Sequence, residues 1–409
     1  MNLVQLTHDS IPIGVPLGFS LRDEEGTLLA RKGFVIGSRA DLESIRGRGG
    51  SFYVDVAESA RHQKAFVGKL FDLVREDRPL GKIARANLTT QDINAQRSNT
   101  TSNPNWLDLQ VQGNRLLRDL HAENFSEELD RLYNQLSRLC HANPDGALFA
   151  LFHLSSSEIA LYSATHAMLT MAMCALASRE VLRWPEQDEA RVCKAALTMN
   201  LAMTALQDRL AAQNEPPTPV QREQIDNHAL RSVELLQNMG IVDGVWLEAV
   251  RHHHTTAPGA LQERTAGQRM ARLIQRADNF AAQLAPRASR RAAAASLAMQ
   301  ACYFDENRQI DEAGAALIKA VGVYSPGSLV RLANNEVGVV VRRGANTTTP
   351  RVAILVNRDG MPSAEHVLRD TSQRELRITS SVARHDCKVQ INLERLLTLT
   401  SGVASSRFW

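Results

Sequence analysis

The hydrophobic period of this chain changes twice, and that limits the architectures open to it. From about residue 10 to 55, short apolar–polar alternations such as Phe19-Ser20-Leu21-Arg22 and Phe52-Tyr53-Val54 flank the turn signal Asp23-Glu24-Glu25-Gly26. From Trp106 to Cys140 the period becomes helical, with Leu109, Leu116, Leu117, Leu120, Leu129, Leu132, Leu136 and Leu139 at helix spacing. It stays helical from 146 to 322. After Ser325-Pro326-Gly327 it returns to two, in 328–332, 336–341 and 351–356, with 375–382 and 388–391 as further strand candidates. A chain of this kind is expected to be mainly α, with a small N-terminal β-rich module and a C-terminal β-rich extension.

These shifts divide the 409 residues into a β-rich module (1–60), a linker and helical connector (61–145), a helical domain (146–322) and a β-rich extension (323–409). The linker reading rests on 87–105, which is rich in Asn, Thr, Gln and Ser. Helix starts are marked by Ser155-Ser156-Ser157-Glu158, by Pro185 and by Thr218-Pro219, and Gly240 reads as a stop.

A net charge of +3 argues against nucleic acid as a partner. The Arg287–Arg291 run beside four alanines reads as the solvated face of a good helix former. No apolar run approaches the roughly 20 residues of a membrane span, and no signal peptide is visible. Five scattered cysteines without C-x-x-C spacing fit a cytoplasmic protein, with Cys174 and Cys193 as buried free thiols.

The chemistry-bearing residues form a ladder. His166, His228, His253, His254 and Asp278 fall on successive helical segments. Imidazoles and a carboxylate converging from several helices are what a divalent-metal site in a bundle requires, because one helix cannot surround a cation. No P-loop, G-x-G-x-x-G, G-x-S-x-G or Cys/His nucleophile arrangement competes with it. His252 reads as solvent-facing, and His385-Asp386 as a surface turn.

The segments around the ladder resemble HD-GYP domains, the metal-dependent phosphodiesterases that cleave cyclic di-GMP. Leu161-Tyr162-Ser163-Ala164-Thr165-His166 is similar to the family's Y-x-x-H-S, and Ile225-Asp226-Asn227-His228 to its single histidine before an apolar helix. Ala249-Val250-Arg251-His252-His253-His254 resembles A-V-x-x-H-H-E, and Ala271–Phe280 resembles A-R-I-L-x-V-A-D-x-F. Tyr324-Ser325-Pro326-Gly327-Ser328 resembles the Y-P-P-G-S tail. The resemblance covers about 145–360 and implies an HD-type helical bundle.

The departures are as specific as the matches. In Ala195–Met203 the resemblance puts Met199 and Asn200 where the family has its His-Asp dyad, and Met203 where it has a lysine. A thioether is a soft ligand, and an amide brings no charge to join two cations. Thr255 stands in place of a glutamate, and 256–261 replaces the G-Y-P loop. His166, His228, His253, His254 and Asp278 are enough for one divalent metal (Fe, Mn or Zn) but not for a bridged pair. The resemblance therefore implies a degenerate HD-GYP protein without efficient phosphodiesterase activity. It would act as a regulatory or binding module, with cyclic di-GMP or a signalling protein such as a GGDEF-domain cyclase as partner. An active phosphodiesterase with a rearranged site and a purely structural interaction scaffold are the alternatives.

Overall fold

The computed structural model describes residues 3–7, 10–11, 13–14, 17, 19–31, 34–45, 50–55, 105–119, 124–157, 161–256, 259–363, 365–389 and 391–401. The 87–104 part of the expected linker lies outside them. The chain divides into two compact units, Met1–Pro104 and Asn105–Trp409.

The first unit is a four-stranded antiparallel sheet of order β1-β4-β2-β3, from β1 (Leu3–Leu6), β2 (Leu21–Arg22), β3 (Leu28–Ala30) and β4 (Phe52–Asp55), with helix α1 (Arg39–Ile45). Its own core gathers Val4, Leu6, Leu17, Phe19, Leu21, Ile36, Leu42, Phe52 and Val54.

The second unit is a helical bundle carrying a small sheet. Helices α2 (Trp106–Arg118), α3 (Phe125–Ala142) and α4 (Pro144–Ser157) lead into α5 (Tyr162–Leu176). In α3 the stripe Phe125, Leu129, Leu132, Leu136 and Cys140 is buried, as spacings of three and four dictate. Helix α5 has no charged residue and is apolar or small on every side, so it can only be a central helix. All fifteen of its residues are buried. Around it pack α2, α3, α4, α6 (Glu186–Thr198), α7 (Thr204–Ala212) and α10 (Ala266–Leu284). Helices α8 (Pro219–Asn238) and α9 (Gly244–His252) complete the site-bearing side, and α11 (Ala295–Tyr303) and α12 (Glu312–Val321) close the bundle.

Local chemistry sets these starts. Thr218 and Thr265 each form a capping box, with Gln221 and Gln268 respectively. The Asp243 side chain accepts from the amides of Val245 and Trp246. The serine run does not start a helix. Ser155 and Ser156 lie inside α4, and the next described helix begins at Tyr162, beyond residues 158–160, which lie outside the described set.

Gly327 carries the passage from bundle to sheet. Its φ is +93°, and a Cβ there would stand 2.8 Å from Cβ of Phe152, so only glycine fits. The five antiparallel strands β5 (Leu329–Leu332), β6 (Val337–Arg342), β7 (Arg351–Val356), β8 (Leu368–Asp370) and β9 (Ile378–Val382) take the order β8-β7-β6-β5-β9. The last strand thus returns to pair with the first. Val339 and Val341 face a cluster with Phe149 of α4, whereas Val340 faces Val330, Val352 and Ile354. Burial on both faces explains the unbroken valine run. Strand β8 has no alternation to announce it. The 388–391 candidate is not a described strand: Gln390 lies outside the described residues, and its neighbours are irregular. A short helix, α13 (Leu393–Leu397), packs on α4.

Arg343, just past β6, ties sheet to bundle. It donates to Asp145 Oδ1 at 2.7 Å, to Glu180 Oε2 at 2.7 Å and to the Ala320 carbonyl at 2.5 Å. Replacing Arg343 with Met keeps the stem but leaves Asp145 without its cation and Glu180 with Arg179 alone, 3.7 Å away. It is expected to cost about 2 kcal/mol, read as a lowered urea midpoint with an unchanged slope.

Candidate metal centre

The five ladder residues fall into a pair and a triad. The pair joins the two innermost helices: His166 Nε2 of α5 lies 2.6 Å from Asp278 Oδ1 of α10. His166 is 1% and Asp278 8% exposed. A carboxylate can only accept, so Nε2 carries the hydrogen. Nδ1 of His166 is buried, with no hydrogen-bond partner among the described residues. Tyr162 stacks on the His166 ring at 5.8 Å and 8°, and Arg287 donates to the Tyr162 hydroxyl at 3.1 Å.

The triad is His228 on α8, His253 at the C-cap of α9, and His254 one residue on. One nitrogen from each lies within 4.8 Å of the others, and His254 is exposed while its partners are buried. The His228 Nδ1–H donates to the Ile225 carbonyl, and the His253 Nδ1–H donates to the Val250 carbonyl at 2.6 Å. Both acceptors are carbonyls, so both Nδ1 atoms carry hydrogen. In the neutral rings each Nε2 is then a bare lone pair. These two atoms face one another at 3.2 Å. Two acceptors at that separation repel unless a proton or a cation lies between them. Backbone bonds that fix a histidine's tautomer and aim its other nitrogen inward are the arrangement of metal-ligating imidazoles. The residues present therefore fit one cation, with the exposed side at His254 open to solvent.

The surroundings disfavour the alternative, a shared proton. Burial and the neighbouring His254 push the His253 imidazole down to about 3, outweighing the pull of Asp278. Burial likewise lowers His228. For Asp278, burial alone would raise the carboxyl, but the His166 hydrogen bond and the nearby imidazoles outweigh it and hold the group at about 2.

Met199 follows α6 directly, is fully buried and belongs to the main apolar core. Asn200 is partly exposed, and its carbonyl accepts from the Met203 amide at 2.9 Å. Met203 closes a 3-10 turn over 201–203 that packs on α8. There the Ala202 amide donates to Ser232 Oγ at 3.0 Å, one helical turn from His228. The Met199–Met203 segment thus abuts the helix that carries a triad histidine, without bringing a carboxylate to it. His252 is partly exposed, with its Nδ1 3.2 Å from Thr255 Oγ1. His385 and Asp386 lie in an exposed 3-10 turn.

Ladder spacing alone did not separate pair from triad. Residue Gln275, which holds the turn after His254, also escaped sequence reading. It sits three residues before Asp278, within a segment whose polar positions look solvated but are buried.

No family model and no curated protein matches the chain. Among solved structures it is similar to a HDG"Y"P protein from Bdellovibrio bacteriovorus, at 11% identity and a TM-score of 0.41, over 77% of this chain and 98% of that one. Among the described residues no helix is long and apolar enough to cross a membrane.

Two acid steps follow from the shifts. His253 is held below its ordinary 6.5, so its contribution is complete above that pH and is lost as pH falls towards about 3. Asp278 is held below its ordinary 3.8, so its contribution is complete above that pH and is lost as pH falls through about 2. Chelator-treated protein, titrated with urea at successive pH values, should lose stability in both windows. His253→Asn should flatten the upper one, and Asp278→Asn should flatten the lower one by about 2 kcal/mol.

Proposed function

We propose that this chain is a degenerate HD-GYP-type protein of cyclic di-GMP signalling. It holds a single divalent cation at His228, His253 and His254 and lacks efficient phosphodiesterase activity. The observation that carries this reading is the pair of Nε2 lone pairs 3.2 Å apart, each ring fixed from behind by a backbone carbonyl. Three neutral imidazoles without a thiolate suit a borderline cation, zinc ahead of iron or manganese. A second cation lacks its bridge. Asn200 is a neutral amide, and Asp278 Oδ1 is taken by His166. When bound, such a cation supplies a Lewis acid and a water of lowered pKa.

The chain's own residues do the rest. The Nδ1–H bonds orient two rings, and Asp278 places negative charge within electrostatic reach of His253 and His254. With methionine at 203 in place of the family's lysine and no G-Y-P loop, the site keeps little that grips a phosphodiester in its transition state. In this reading cyclic di-GMP is a regulatory ligand, and a signalling protein such as a GGDEF-domain cyclase is the partner.

Purified full-length protein should contain about one equivalent of chelatable metal, with zinc preferred. His253→Ala should lose it. Cyclic di-GMP should bind in calorimetry without being hydrolysed in the presence of Zn, Mn or Fe. Turnover that disappears in Asp278→Ala would instead establish a working enzyme. Absence of both metal and nucleotide binding would leave the scaffold reading.

A further inference from the structure

The triad's third member, His254, sits on a turn rather than on a helix, yet it must present its ring to two fixed neighbours. One hydrogen bond closes that turn from within, the Thr255 amide donating to the His252 carbonyl at 2.8 Å. A second contact comes from another helix. Gln275 of α10 donates through Nε2 to the Thr255 carbonyl at 3.4 Å. Gln275 is 5% exposed, so its amide must find partners within the protein.

The orientation of that amide is imposed. Arg272 Nη1 donates to Gln275 Oε1 at 2.6 Å. An arginine has no acceptor, so the oxygen must face it and the NH2 must face Thr255. Arg272 is itself clamped. It donates through Nε to Asp311 Oδ2 at 2.7 Å and through both terminal nitrogens to Glu306, at 2.9 Å each. Asp311 is fixed in turn as the N-cap of α12, accepting from the Gly314 amide at 2.8 Å. A continuous path of buried or part-buried hydrogen bonds therefore runs from two acids, Glu306 and Asp311, through Arg272 and Gln275 of α10 to the carbonyl of Thr255.

We propose that Gln275 is a positioning residue for the cation site. With Arg272 behind it, it holds the His253–Thr255 turn so that the exposed His254 ring meets the His228–His253 pair. It touches neither cation nor substrate and acts through the turn. The inference rests on the single-cation reading above and adds a determinant of its affinity outside the histidines. Supports of this kind behind metal ligands commonly carry about 10- to 100-fold in affinity.

The test uses zinc and cobalt(II) as probes on the full chain, with affinity read by competition against a chromophoric chelator. Gln275→Glu keeps the size and the acceptor for Arg272 but turns an oxygen towards the Thr255 carbonyl; Gln275→Ala removes both contacts. Both variants should bind zinc about tenfold more weakly and shift the visible spectrum of bound cobalt. Metal-free stability of both variants should fall, because each leaves a buried group without its partner, and it is measured separately from metal binding. Glu306→Gln, altered at the outer edge of the clamp, should weaken zinc binding by a smaller factor and serves if the Gln275 variants fail to fold. Unchanged zinc affinity and cobalt spectrum in the folded variants, whatever happens to stability, would make Gln275 a merely structural residue and overturn the inference. A wild-type chain that binds neither metal would overturn the cation reading itself, and this inference with it.

Discussion

A carboxylate and an imidazole, both shut away from water, fix the register of the two innermost helices. Asp278 cannot be buried as an anion without a donor, and His166 is the donor its surroundings supply at 2.6 Å. Helix α5, buried on every side, has no other ionisable group capable of answering that charge. This polar contact gives the otherwise apolar packing of α10 against α5 a directional constraint. Everything α10 carries follows from that register: Gln275 behind the histidine turn, Arg272 and Arg276 towards Asp311 and Glu306, and the apolar face made by Leu273, Ile274, Ala277 and Phe280.

Helix α10 thus gathers an unusual density of buried polarity. Arg272, Gln275, Arg276 and Asp278 are all 8% exposed or less. The cations face one set of acids and the carboxylate faces the histidines, so opposite charges are separated along a single helix. Burial holds such a network together only when it is complete, because each unpaired member costs more than the bond it loses. Burial of Glu306 would raise its carboxyl, but the Arg272 hydrogen bond is the larger influence and brings it down to about 2. The arginines therefore face a charged partner throughout the physiological range.

The fold was largely written in the periodicity. The leucine stripe of α3, the featureless apolar run of α5 and the valine run of β6 each allow one kind of environment, and each found it. Thr218 marked a helix start because capping chemistry is local, whereas Asp243 and Thr265 cap their helices by the same chemistry without having been read as starts. The serines at 155–156 misled because an N-cap side chain is also at home inside a helix when its hydroxyl can reach a carbonyl one turn back, as the partly buried Ser156 reaches that of His153. Strand β8 went unread because an edge strand of three residues has too few positions to show alternation. For the site, spacing brought five ligand-type residues into view but could not partition them. Whether a histidine's Nδ1 meets its own helix's carbonyl or its Nε2 meets a distant carboxylate is decided by tertiary packing. The link from Gln275 to Thr255, 20 residues apart, left no sequence signal because glutamine in a helix ordinarily faces water.

The return of β9 to β5, and of the tail to α4, sets the order in which the chain can be completed. Phe149 of α4 is wholly buried, yet its cluster is drawn from Leu329, Val339, Val341, Ala353, Leu355, Cys387 and Leu396. Asn143, just before α4, donates to Thr400 Oγ1, 257 residues away. On a growing chain these early segments emerge long before their partners exist, and an exposed phenylalanine is left waiting. Strands β5 to β8 form a local meander that can close quickly once made, and β9 then returns to the β5 edge. The outer face of α4 is therefore covered only once the strands from β5 onward have been made, and a chain cut short before β5 would leave that face open.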